Sequence, residues 1–192
     1  MKLVTLAGAV SAAALLAAAP AAFAQAHSAM GHDTVTVGGA PMYANKTIVE
    51  NAINSPIHTT LVAAVKAAGL VETLSGPGPF TVFAPTDEAF AALPAGTVES
   101  LVQPENKATL TRILTYHVVA GRVTAADVIG LIEQGGGSAA ITTVSGGTLT
   151  ASLRDGSVIL TDENGGIATV TQADVFQSNG VIHVTDAVSL PK

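Results

Sequence analysis

The chain has 192 residues, a formal charge of −6, no cysteine, no tryptophan and only 4% aromatic residues. An acidic balance without a basic run excludes nucleic acid as a partner class, because neutralising phosphates takes clustered Lys and Arg and stacking bases takes aromatics. Charged residues at 11% and hydrophobic residues at 48% exclude a disordered, charge-solvated chain, and one domain is the natural reading at this length.

Residues 1–24 read as a signal peptide: Lys2 supplies the positive start, Leu3 to Ala18 the apolar stretch, and Ala22-Phe23-Ala24 the small-x-small cleavage pattern. Cleavage is expected between Ala24 and Gln25, with an overlapping pattern at Ala24-Gln25-Ala26. The protein is therefore expected to be exported to the periplasm or the medium, without a transmembrane anchor after cleavage. Lack of cysteine removes a lipoprotein anchor, a disulfide framework and thiol catalysis together. Residues 25–43 read as a flexible leader, interrupted by Gly38-Gly39 and Pro41, that adds little to stability. His27, Met30 and His32 lie close together in it. A mature start at Gln25 would put an amine two residues before the His27 imidazole, a spacing that can chelate Cu(II) or Ni(II). A polar tail with incidental histidines is the plainer alternative.

The domain is expected over residues 44–192. Thr47 to Asn54 is weakly helical, and Ser55-Pro56 looks like a cap with proline at the first helical position. Leu61, Val62, Val65 and Ala68 recur at helical spacing until Gly69. Gly76-Pro77-Gly78-Pro79 is a rigid turn. It fails as a phosphate loop, since its prolines lack N–H donors and no Gly-Lys-Ser/Thr follows. Phe80 to Ala84 alternates as a buried strand, Pro85 stops it, and Thr86 caps a helix carrying Asp87, Glu88 and Phe90. Thr97–Val102 adds one or two helical turns before Pro104. A longer helix follows from Glu105 to Thr115, and Tyr116-His117-Val118-Val119 reads as a strand. Thr124 and Asp127 open another helix as a capping-box variant. Beyond it come short strand-like runs at Ile141–Val144, Thr148–Leu153, Ser157–Thr161, Ile167–Val170 and Val181–Asp186, separated by Gly-Gly, Asp-Gly and Asn-Gly turns. Helices first and strands later, without regular βαβ alternation, give an α+β fold with an antiparallel core.

Three segments, Thr81–Phe90, Tyr116-His117 within Leu114–Val119, and Asn179–Asp186 with Pro191, together closely resemble the signatures of the fasciclin (FAS1) domain family. The resemblance covers Ala44 to Leu190. It implies a wedge of two small, mainly antiparallel β-sheets flanked by short helices. It also implies a non-catalytic binding or adhesion module at the cell surface, in the periplasm or in the matrix. The partner would be a surface or matrix protein or a polysaccharide, and no cofactor is implied. The alternative is a periplasmic metal-handling or stress protein using the His27-Met30-His32 leader.

The residues themselves carry no catalytic constellation: there is no Gly-x-Ser-x-Gly elbow and no His-Glu-x-x-His helix. His58, His117 and His183 lie on separate segments without metal-ligand spacing. Asp162-Glu163-Asn164-Gly165 lacks the register of a calcium loop and reads as a turn. The resemblance associates Tyr116 and His117 with receptor recognition and with domain integrity. On a strand the two would face opposite ways, with one ring buried and its polar tip bonded. Asn179-Gly180 reads as a turn demanding positive φ, and His183 as a core histidine sharing a face with Val181.

Overall fold

A computed structural model of the chain describes residues 34–192. The expected signal segment, its cleavage site at Ala24 and Gln25, and the leader residues His27, Met30 and His32 lie outside the described residues.

From Thr34 onward the expected leader is structured. Thr34–Val37 (β1) and Ala40–Tyr43 (β2) pair antiparallel across Gly38-Gly39, and Val37 and Met42 are buried in a core shared with the helices. Each strand places only two residues on a face. That is too short for a period to show in the sequence, and the glycines that read as breaks are the hairpin turn. Met42→Ala should therefore lower stability by about 2–5 kcal/mol, the usual cost of truncating a buried large side chain. Urea unfolding checks this, and a midpoint within about 0.5 kcal/mol of the parent would detach the hairpin from the core.

Ile48–Ile53 (α1) opens on a capping box between Thr47 and Glu50. Thr59–Ala68 (α2) starts three residues later than Ser55-Pro56 implies, because the Ser55 hydroxyl is held by His58 Nδ1 at 2.7 Å instead of capping. The cap comes from across the fold. Asp87 accepts the N–H groups of Thr59 and Thr60 and the Thr59 hydroxyl. Burial works to raise the Asp87 carboxyl, yet these donors outweigh it and hold it below the usual range. Gly69 ends α2 in the left-handed region, and Val71–Ser75 (α3) follows.

Phe80–Pro85 (β3) leads into Asp87–Ala91 (α4), whose Ala89 N–H donates to the Thr86 hydroxyl. Thr97–Leu101 (α5) and a 3-10 turn at Pro104–Asn106 precede Lys107–Tyr116 (α6). The helix thus takes in Tyr116, which keeps three-residue helical spacing with Ile113. The expected strand is only Val118–Ala120 (β4). After Ala125–Gln134 (α7) come Ser138–Thr142 (β5), Thr148–Arg154 (β6), Ser157–Thr161 (β7), Ile167–Gln177 (β8) and Gly180–Thr185 (β9).

The fold is α+β with mainly antiparallel pairing. A seven-stranded sheet runs in the order β4-β3-β9-β8-β7-β6-β5, beside the two-stranded β1-β2 sheet. β8 reaches well past Val170. Register shifts between Val170, Gln172 and Val175 bend it, so it pairs with β7 at one end and β9 at the other. The two expected sheets are therefore two lobes joined through β8. The β3–β9 pair alone among the described strands is parallel. β3 alternates across it as a wall between two cores. Val82 and Ala84 face α1, α2 and α6, while Phe83 faces α7 and the β6–β7 lobe.

Candidate functional site

Tyr116 ends α6 and His117 is its C-cap, so the pair leaves a helix end rather than alternating along a strand, and both rings are buried. Tyr116 is 0% exposed; its hydroxyl donates to the Thr148 carbonyl at 2.7 Å and accepts the Glu163 N–H at 3.2 Å. Burial raises its phenol above the ordinary range, reinforced by the negative charges of Glu163 and Asp162. A Cβ on Gly147 would strike the Tyr116 ring, so the β5–β6 turn closes on the aromatic only with glycine there.

His117 bridges three segments. The Ser189 N–H donates to Nε2 at 3.0 Å, so that nitrogen is bare and Nδ1–H donates to the Ile113 carbonyl at 2.8 Å. Its own carbonyl accepts the Phe83 N–H at 2.9 Å, tying the end of α6 to β3. Burial pushes the imidazole below its ordinary range, against the weaker pull of Ile113 and Asp162. His183 repeats the logic in the centre of the sheet. It accepts the Asp174 N–H on Nδ1 at 3.2 Å, places Nε2 2.9 Å from the Val123 carbonyl, and stacks on Phe83 at 5.5 Å. His58, His117 and His183 thus sit in separate environments, and among the described residues no group of three or more His, Cys, Asp or Glu is placed to hold a metal ion.

Asn179 and Gly180 also differ from expectation, since neither has positive φ. Asn179 accepts the Ile48 N–H and donates to the carbonyls of Leu74 and Gly76, stitching α1 and α3 to the β8–β9 turn. Gly180 is required by close approach, because a Cβ would fall onto the Phe80 carbonyl oxygen. Asp162 and Glu163 likewise spend their carboxylates on backbone N–H groups: Asn164, Gly166 and Leu190 for Asp162, Thr148 and Lys192 for Glu163.

Outside this network lies an open cleft of about 470 Å³ beside Asn179, lined by Pro77, Gly78, Pro79, Arg122 and Ser178. Arg122 is exposed, with its guanidinium carbon 6.0 Å from the centroid of Phe176, itself 42% exposed. Among the described residues neither the guanidinium nor the Ser178 hydroxyl has a hydrogen-bond partner. These three residues escaped the sequence reading. The signals available were a lone arginine after Gly121 and an aromatic out of step with buried Val175 and Gln177.

The family model described as Fasciclin domain matches residues 56–191. Protein sll1483 of Synechocystis sp. is 57% identical over 145 residues, covering 76% of this chain and 73% of that protein. The cell surface glycolipoprotein MPB83 of Mycobacterium bovis is 32% identical over 154 residues, covering 77% of this chain and 62% of its own. Among solved structures, a FAS1 domain pair from the insect cell adhesion molecule fasciclin I superposes with a TM-score of 0.66 at 20% identity, covering 74% of this chain and 50% of that one.

Proposed function

The chain belongs to the fasciclin family, and from that premise we propose that it is an exported, non-catalytic binding and adhesion module acting at the cell surface, in the periplasm or in the extracellular matrix. The observation that carries this reading is how the polar motif residues are used. Tyr116, His117, Asn179 and His183 spend their side-chain hydrogen bonds inside the fold. That leaves no nucleophile–base pair among them and leaves surface for recognition. Two relatives carry names that point the same way, one a cell-surface glycolipoprotein and one a cell adhesion molecule. No helix of the described residues is long and apolar enough to cross a membrane. Residues 1–24 supply the route out as a cleaved signal peptide, and the partner is a surface or matrix protein or polysaccharide.

Cell fractionation with intact-mass analysis tests the proposal. The protein should be recovered outside the cytoplasm, bound to envelope or matrix material, with its first 24 residues removed before Gln25. A full-length chain confined to the cytoplasm would overturn it.

A further inference from the structure

We propose that the cleft lined by Pro77, Pro79, Arg122 and Ser178, with Phe176 against the Arg122 guanidinium, binds a uronic-acid residue of an acidic polysaccharide, an inference that rests on the adhesion reading and names its ligand class. Three loops build the cleft: Pro77–Pro79 before β3, Gly121–Val123 after β4, and the β8–β9 turn. Several of their backbone groups are already bonded. The Pro79 carbonyl accepts the Gly121 N–H at 2.9 Å, the Asn179 carbonyl accepts the Phe80 N–H at 3.0 Å, and the Ser178 N–H donates to the Lys46 carbonyl at 2.9 Å. The Gly121 carbonyl accepts the Thr81 hydroxyl at 2.8 Å, which in turn accepts the Val123 N–H. The two prolines have no N–H at all. The bonded groups leave no continuous ladder for an extended peptide, so recognition falls mainly to the side chains.

Those side chains have a specific chemistry. Arg122 offers a planar fork of donors matched to a carboxylate, with no partner among the described residues. The rings of Pro77 and Pro79 line the cleft and Phe176 lies against the guanidinium, and such apolar surfaces suit the C–H side of a pyranose ring. The free Ser178 hydroxyl both donates and accepts, as a sugar hydroxyl does. A few placed polar groups on an apolar floor is the usual build of a small-molecule site. The β2–α1 connection, bonded to this turn, carries a second pair of this kind. Lys46, whose carbonyl takes the Ser178 N–H, holds its ammonium 4.9 Å from the Tyr43 ring centroid. A cation–aromatic pair at each of two neighbouring positions fits successive residues of a polymer better than a lone sugar. The net charge of −6 gives no general field for polyanions. Capture therefore depends on the local fork and favours one carboxylate per sugar over a densely sulfated chain.

Amide ¹⁵N–¹H spectra of the mature protein, titrated with trigalacturonate, test the site. Three comparisons accompany the titration: the fully methyl-esterified trimer, acetate, and the exposed-site variant Arg122→Gln. Expected are saturable shifts confined to amides of the three cleft loops and their Lys46 neighbour. Affinity should fall about tenfold or more in Arg122→Gln, as for loss of a charge-assisted pair, and comparably with the ester. Absent or dispersed shifts, equal binding of the ester, or unchanged affinity in Arg122→Gln would overturn the site. Acetate binding as tightly as the trimer would overturn its sugar specificity. Fractionation reads the adhesion proposal separately. Protein found outside the cell that ignores trigalacturonate refutes the site alone, whereas protein retained in the cytoplasm refutes the adhesion reading whatever it binds.

Discussion

Tyr116→Ala is expected to lower the stability of the domain by about 3–5 kcal/mol, the cost of truncating a fully buried aromatic, out of the roughly 5–15 kcal/mol that a domain has. The ring wedges the end of α6 against the β5–β6 turn at Gly147, and its hydroxyl serves both Thr148 and Glu163. Tyr116→Phe isolates the hydroxyl and should cost about 1–3 kcal/mol, since it leaves the Thr148 carbonyl and Glu163 N–H without that partner. His117→Ala removes the bridge from Ile113 to Ser189 and should also destabilise. Urea unfolding gives the answer as a lowered midpoint at unchanged slope. If Tyr116→Ala and His117→Ala both unfold at the parent midpoint, the pair is a free recognition patch and the scaffold role assigned to it is wrong.

What the sequence disclosed and what it withheld divide along the range of the interactions. The strand, stop and cap of Phe80 to Phe90 are legible because Pro85 and Thr86 act on their own neighbours. The work of Asp87 is not, because Thr59 and Thr60 lie on a different helix. That Tyr116-His117 is a pivotal place could be read from its bulk among apolar neighbours. Its element could not, and the error matters. A strand would expose one ring, whereas a helix end with its cap turns both inward. Asn179-Gly180 looks like a positive-φ turn, yet Asn179 is chosen for amide bonds to Ile48, Leu74 and Gly76, over a hundred positions away. Arg122 had no visible relation to Phe176 and Ser178, because only the folded sheet brings these two distant segments together.

The three buried histidines should make the fold sensitive to mild acid. Burial pushes His58, His117 and His183 below the ordinary imidazole range, outweighing Ala84 and Asp87 at the first, Ile113 and Asp162 at the second, and Val123 and Asp174 at the third. Each is neutral in the fold, while in the unfolded chain it takes up a proton near pH 6.5, about the ordinary value. Unfolding therefore binds protons below that pH. The contribution of these groups to stability is fully present above about pH 6.5 and is lost as pH falls toward each folded value. The limiting slope is about 1.4 kcal/mol per pH unit for each group, so three together approach about 4 kcal/mol per unit. Urea midpoints taken between about pH 7.5 and about pH 4.5 should fall steeply across this window. Asp87, Asp127, Glu50 and Glu163, all held below the usual carboxylate range, add their loss only as pH falls below about 5. Stability that stays flat from about pH 7 to about pH 5 would contradict the neutral-histidine assignment.

The parallel pair at the middle of the sheet also has a bearing on how the molecule is made. Phe80 pairs with Gly180 and Pro85 with Thr185, so the wall between the two cores joins chain segments about a hundred residues apart. β9 follows every other described element in chain order. Until it has been synthesised, β3 lacks its neighbour on one side, and Phe83 lacks the His183 ring it stacks on. The wall therefore cannot close until chain growth has delivered β9, and closing so long a loop adds an entropic cost that slows the step. The β5–β8 hairpins can pair as they emerge, whereas the wall that divides the two cores is the last part of the domain to form.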